Sequence, residues 1–275
     1  VQASYRFLID RFGSFRRLRG ALLYWLAAQF LRDAPVVFMN YGYAGEGPES
    51  AGPALLPEDI PDRLPVQLYH RLTADADLEG REILEISCGR GGGASYLMRY
   101  RRPASLLGVD RSPRLVEFCR RRHRHPGLRF SAGDAEDLNL ADASYDIVVN
   151  VEASHCYGSM DRFLGSARRV VRPGGQMLWA DFRPSEKIES LRKEFRKAGW
   201  EIELEEDISR NVLRAMEMGD RRWNALIERQ IPKSLQAPFR ETAGVRGSRI
   251  EQAIRHGRMN YLRCVLRRPL GTVAA

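Results

Sequence analysis

Residues 83–93 read Ile83-Leu84-Glu85-Ile86-Ser87-Cys88-Gly89-Arg90-Gly91-Gly92-Gly93. The first half is a short apolar run of strand length, and the glycines behind it let a backbone turn sharply and approach a ligand closely. Taken alone, Gly89-x-Gly91-x-x-Ala94 also fits a loose dinucleotide fingerprint, and glycine turns are common on any surface. What surrounds it decides the fold. Further strand candidates fall at 106–110, 128–131, 146–151, 176–180, 200–204 and 259–266. Helical periodicity runs between them, as in 162–171, where Phe163, Leu164, Ala167, Val170 and Val171 share one face. That alternation predicts an α/β fold, a doubly wound and mostly parallel seven-stranded sheet with helices on both sides. Pro173-Gly174-Gly175 reads as a helix stop and the turn into the next strand.

Working outward, residues 1–33 suggest a helical segment with apolar and basic faces. Residues 40–65 hold Gly42, Gly45, Gly47, Pro48, Gly52, Pro53, Pro57, Pro61 and Pro65. Such punctuation predicts a long loop, of the kind that covers binding sites. Residues 207–256 read as helices broken at Gly219, Pro232, Pro238 and Gly244, inserted before the last strand. The expected organisation is an N-terminal helix and lid loop over 1–65, an α/β core over 66–206, a helical lid over 207–256, and a final strand and tail over 257–275.

The chain carries 44 Lys and Arg against 35 Asp and Glu, a formal charge of +9. Its arginines are scattered and not interleaved with aromatics, which argues against nucleic acid. The densest run, Arg120 to Arg122 with His123, Arg124 and His125, closes a predicted helix and suits its negative end. Four cysteines without CxxC or metal-ligand spacing favour a reducing, cytoplasmic setting and no metal. The apolar run 21–31 follows Arg16, Arg17 and Arg19 but is too short to span a bilayer. It leaves open a weak contact with a membrane surface, and a homo-oligomer is likewise left open.

The acids separate the candidate ligands. Val109-Asp110 closes the second strand, where a carboxylate can accept from both hydroxyls of an adenosine ribose. Gly133-Asp134-Ala135-Glu136 follows the third, where an acid and a backbone amide can read an adenine amino group. Glu85 stands before Gly89, aimed at a ligand's positive end. A dinucleotide wants a cation or a bare helix N-terminus for its pyrophosphate. S-adenosylmethionine brings no phosphate but an ammonium and a sulfonium, which acids suit, and no Tyr-x-x-x-Lys pair is present for hydride chemistry.

Leu84-Glu85-Ile86-Ser87-Cys88-Gly89, Gly133-Asp134-Ala135-Glu136-Asp137-Leu138, Tyr145-Asp146-Ile147-Val148-Val149-Asn150 and Val171-Arg172-Pro173-Gly174-Gly175 resemble the successive motifs of the Rossmann-like class I methyltransferases. More narrowly, residues 87–97 and Asn150-Val151-Glu152-Ala153-Ser154-His155-Cys156-Tyr157 resemble the phthiotriolone/phenolphthiotriolone dimycocerosate methyltransferases, which O-methylate a hydroxyl on a long polyketide lipid. The similarity runs from about Val36 to Arg268. It implies Glu85, Gly89 and Gly91 around the methionine part of the cofactor, Asp110 at the ribose, Asp134 with Ala135 at the adenine, and Asn150 behind the cofactor. Ser87 replaces the first glycine of the usual G-x-G-x-G, which implies a tightened turn. Arg90 must point away from the acids for them to keep that role.

A hydroxyl is a poor nucleophile until its proton leaves, so a base is expected on the acceptor side. His155, just past the fourth strand, is the candidate, neutral at its ordinary value of about 6.5. Asp181, at the end of the fifth strand, is its expected partner. Tyr41, Tyr43, Tyr157, Trp179 and Phe182 are candidate walls of an apolar pocket, with core packing the equal alternative. His70, His123, His125 and His256 are read as structural. The expected activity is O-methylation of a hydroxyl on an apolar small molecule, such as a polyketide, lipid or other secondary metabolite. The alternatives are C-methylation of a prenyl or other secondary-metabolite carbon, and a cofactor-binding interaction protein without chemistry.

Overall fold

The computed structural model describes residues 36–47 and 52–270. The N-terminal helix expected over 1–33 and its membrane contact lie outside the described residues. In chain order the elements are α1 (Arg63–Leu72), β1 (Glu82–Ile86), α2 (Gly92–Arg101), β2 (Ser105–Asp110), α3 (Pro113–Arg122), β3 (Leu128–Ala132), β4 (Tyr145–Val151), α4 (Met160–Val170), β5 (Val171–Pro184), α5 (Ile188–Lys197), β6 (Glu201–Asp207), α6 (Ser209–Gln230), α7 (Lys233–Ala243), α8 (Arg249–Arg255) and β7 (Met259–Arg267).

The sheet has seven strands in the order β3-β2-β1-β4-β5-β7-β6. Strands β1 to β5 pair in parallel, and β7 runs antiparallel between β5 and β6. The order reverses between β1 and β4, which opens a crevice at the carboxyl ends of these two strands. Apolar runs form the central strands because both faces are covered. Ile83, Ile147, Val149 and Leu178 pack on one face with Leu68, Leu72 and Leu97 of α1 and α2. Leu84, Val148, Met177 and Trp179 pack on the other with Phe163 and Leu164 of α4 and Phe195 of α5. Serine caps begin three of the described helices: Ser112 Oγ accepts from Leu115 N–H, Ser159 Oγ from Arg162 N–H and Ser248 Oγ from Glu251 N–H.

Three local expectations change. Residues 40–65 are not loop throughout, because a 3-10 turn forms over Pro57–Asp62 and α1 follows at Arg63. The fixed φ of Pro57 and Pro65 suits the first positions of helical turns. Gly219 and Pro238 do not break the insertion; α6 runs through the first and α7 through the second. One missing side chain or one missing hydrogen bond is a cost a packed helix carries. The breaks do fall at Pro232 and at Gly244, whose φ of +64° ends α7. Lastly, Pro173-Gly174-Gly175 is an irregularity inside β5, since Tyr145 pairs with Val171 and Ile147 with Gln176.

The N-terminal segment and the helical insertion are fastened together. Ala44 N–H donates to Asn211 O, and Asn211 Nδ2 donates to Ala44 O, both at 3.1 Å. Arg222 of α6 pairs with Asp62 at 2.7 Å. Val36, Ile227, Ile231, Phe239 and Val245 form a small core of their own beneath them.

Gly93 lets α2 press on α1: a Cβ there would lie 2.1 Å from Tyr69 Cζ. Gly93→Ala should therefore cost about 1–3 kcal/mol of stability through overpacking, read as a lower urea midpoint at unchanged m-value. An unchanged midpoint would show that the Tyr69 ring moves aside freely.

Candidate active site

The loop after β1 is set by three left-handed residues: Ser87 at φ +59°, Gly89 at +55° and Gly91 at +75°. Ser87 takes the conformation a glycine would take more cheaply, and its hydroxyl is held by Tyr157 Oη at 2.7 Å. At Gly91 a Cβ would come within 2.8 Å of His123 and 3.0 Å of Cys119 Sγ. Gly89 N–H donates to Asp110 Oδ2 at 2.9 Å, while Asp110 Oδ1 accepts from Ser112 N–H at 2.9 Å. Asp110 thus ties the ends of β1 and β2 together, and burial raises its pKa. Arg90 is turned away from the acids: it is buried, donates to Val36 O and lies over the Phe118 ring.

Two buried acceptors here lack donors. Glu85 is 1% exposed; its Oε1 accepts from Tyr69 Oη at 2.6 Å, and its Oε2 has no hydrogen-bond partner among the described residues. Burial pushes Glu85 up to about 7, against the bonds from Tyr69 and the Ala94 backbone. Asn150, on the neighbouring β4, donates through Nδ2 to Ile86 O at 3.0 Å and to Tyr157 Oη at 2.9 Å. Its Oδ1 is buried and unpaired. Unpaired acceptors inside a protein are costly and call for a donor. A ligand carrying an ammonium meets that demand, and a pyrophosphate does not.

Asp134 is exposed at the end of β3, where its Oδ1 accepts from Glu136 N–H at 2.9 Å and Ala135 is buried beside it. Gly133 N–H donates to Asp110 O at 3.1 Å, so this turn is tied to the end of β2 and forms the rim of the same edge.

His155 sits in a short 3-10 turn after β4, and Asp181 is fully buried on β5. The Asp181 carboxylate accepts from His155 Nδ1 at 2.8 Å, His155 N–H at 2.9 Å and Ser154 Oγ at 2.7 Å. Arg183 lies 3.1 Å away. Because a carboxylate can only accept, Nδ1 carries the proton and Nε2 is left to act. Burial works to depress the His155 pKa, but the Asp181 charge and hydrogen bond override it and lift the imidazole to about 10. That corrects the expectation of an unperturbed, neutral histidine. Asp181 is held below its ordinary range: burial raises it, and the charges of His155 and Arg183 lower it further.

The aromatic candidates divide. The Phe182 ring lies 4.2 Å from the His155 ring and 5.9 Å from that of Tyr41. Tyr41 also lines a cavity of about 250 Å³ with Val36, Phe38, Ile60, Met216 and Trp223. Trp179 walls nothing: it is fully buried against Phe195 and donates to Ser154 Oγ at 2.9 Å. Tyr43 is also core, at 4% exposure, and Tyr157 serves the Ser87–Asn150 side. The remaining histidines are held by protein atoms, His70 by Tyr96, His123 by Arg90 O, His125 by Ser95 and His256 by Gln252 O.

Glu152 escaped the sequence analysis. Its φ is +46°, and its Oε1 accepts from Tyr41 N–H and Tyr261 Oη, each at 2.8 Å. An acid at the carboxyl end of a strand was the available signal, the same one that marked Asp110 and Asp134.

A family model described as a methyltransferase domain matches residues 84–179. The phthiotriol/phenolphthiotriol dimycocerosates methyltransferase of Mycobacterium leprae is 39% identical over 238 residues, covering 86% of this chain and 87% of that protein. A fatty-acid O-methyltransferase of Mycolicibacterium smegmatis is 41% identical over 215 residues, 78% of each chain. In structure the chain is similar to the cyclase SpnF, with a TM-score of 0.70 at 21% identity over 91% of this chain and 95% of that one. At that identity the likeness is one of fold.

Glu85 yields a prediction about pH. Its folded pKa of about 7 lies above the unfolded 4.5, so the folded chain keeps a proton that the unfolded chain releases. Stability is therefore lost as pH rises between those values. Glu85→Gln removes that loss, and its stability relative to wild type should rise by on the order of 3 kcal/mol between pH 4.5 and pH 8. Urea unfolding across that range checks it; parallel curves would show that Glu85 is solvated.

Proposed function

Because the chain belongs to the phthiotriol/phenolphthiotriol dimycocerosates methyltransferase family, and so is an S-adenosylmethionine-dependent class I methyltransferase, we propose that it O-methylates a hydroxyl on an apolar, lipid-like molecule. What carries this proposal is the His155–Asp181 pair beside an aromatic wall. S-adenosylmethionine supplies, when bound, a methyl group on a cationic sulfur that an oxygen nucleophile can take. Glu85 Oε2 and Asn150 Oδ1 would hold its ammonium, Asp110 its ribose, and Asp134 with Ala135 its adenine. Gly89 and Gly91 keep the backbone clear of it.

On the acceptor side, His155 Nε2 takes the proton as the hydroxyl oxygen forms its new bond, and Asp181 holds the ring in the productive tautomer. The segment from 36 to 65 and the insertion over 207–256 act together as the cover. Their shared cavity receives the apolar part of the acceptor. No helix among the described residues is long and apolar enough to cross a membrane. The free thiols of Cys88, Cys119, Cys156 and Cys264 fit a reducing compartment, the cytoplasm.

The test pairs a long-chain secondary alcohol with its short-chain analogue as acceptors. Wild type should show the lower KM for the long one. His155→Ala should keep cofactor affinity by calorimetry and lose roughly 10²–10⁴-fold in turnover, the usual worth of a general base. Asp181→Asn should lose less, since the imidazole remains. The wild-type rate should climb with pH well past the ordinary histidine value, toward about 10. Near-normal turnover by His155→Ala would remove the histidine from the mechanism.

A further inference from the structure

Glu152 is a half-buried carboxyl with an unusual posture. Its left-handed backbone, at φ +46°, persists only where the surroundings fix it. Its own N–H donates to Ala180 O at 2.8 Å, and its Oε1 takes the bonds from Tyr41 N–H and Tyr261 Oη. The side chain therefore bridges the 36–47 segment, β4 and β7. Oε2 makes no hydrogen bond among the described residues and, unlike Glu85 Oε2, is not sealed from solvent. The Tyr261 ring lies 6.4 Å from Phe182, which in turn covers His155. Glu152 thus stands on the acceptor side of the edge, within electrostatic reach of Asp181, His155 and Tyr69.

For bridging alone a glutamine would serve, since an amide oxygen accepts the same two bonds without a buried charge. The cations nearby are already committed. Arg183 is engaged with Asp181, Ser154 and the Phe182 carbonyl, and the charge of His155 is balanced by Asp181. Among the described residues, a carboxylate acceptor would meet Glu152 with no uncommitted cationic side chain to pair with. It would also have no use for a base, because it has no proton to lose. An alcohol needs the base and meets no repulsion.

We propose that Glu152 is a specificity-determining residue that admits neutral alcohols to the site and turns away fatty carboxylates. This rests on the hydroxyl-methylating function proposed above. Repulsive discrimination of this kind is a common means of specificity, and it separates two acceptor classes of the same chain length by their charge.

Burial, with the charge of Asp181 adding to it, lifts Glu152 to about 8 against the bonds from Tyr41 and Tyr261. The experiment therefore runs at about pH 9, where the carboxyl carries its charge. Acceptors are a long-chain secondary alcohol and a fatty acid of equal length, each with labelled cofactor. Wild type should favour the alcohol in kcat/KM by on the order of tenfold or more. Glu152→Gln keeps the bridge and should raise fatty-acid methylation by a similar factor, with cofactor affinity unchanged. Glu152→Asp keeps the charge and should keep the preference. Equal use of both acceptors by wild type, or an unchanged ratio in Glu152→Gln, would overturn the inference while leaving O-methylation intact. Turnover of neither acceptor would remove the function on which it rests, and the inference with it.

Discussion

The site depends on carboxylates taken out of water at the carboxyl edge of the sheet. Asp181, Glu85 and Glu152 lie at or near the ends of β5, β1 and β4, and they are treated differently. Asp181 is fully satisfied, with His155, Ser154, Phe182 N–H and Arg183 around it. It stays ionised and lends its charge to His155. Glu85 and Glu152 have no ion-pair partner among the described residues, and burial raises both. Isolated buried charge is among the most expensive features a fold can carry. For Glu85 the balancing charge is left to be supplied from outside, by the ammonium of a cationic cofactor.

Backbone strain marks the same place. Ser87 and Glu152 are two of the few non-glycine residues with positive φ, and they follow β1 and β4, the strands that flank the crevice. Each is held by a contact from elsewhere in the chain, Ser87 by Tyr157 and Glu152 by Tyr41 and Tyr261. Strain at a site persists when surrounding structure over-determines it. Here the same hydrogen bonds that hold the strain also aim the polar groups. Fold and chemistry share one set of contacts, so a change at Tyr157 or Tyr261 reaches both.

The strands, their order of appearance and the acids at their ends were legible because each rests on a local pattern. An apolar run buried on both faces reads the same wherever its partners come from. What was not legible is non-local. Trp179 and Tyr43 look like pocket walls by residue type, yet which face of a sheet an aromatic joins depends on packing. Glu152 meets Tyr41 across 111 positions and Tyr261 across 109, and nothing in its immediate sequence announces either. The rise of the His155 pKa was hidden for a related reason: the pairing with Asp181 was readable, but the burial that makes that pairing strong was not. Gly219 and Pro238 misled because helix breakers act only where packing does not hold the helix.

The most direct test of the account is the fate of the methyl group. Purified protein, incubated with methyl-deuterated S-adenosylmethionine and a long-chain secondary alcohol, should yield a labelled methyl ether by mass spectrometry. Fragmentation should place the label on oxygen. Label on carbon, or cofactor that binds tightly without any transfer to the alcohol, would contradict the assignment of the His155–Asp181 pair to a hydroxyl.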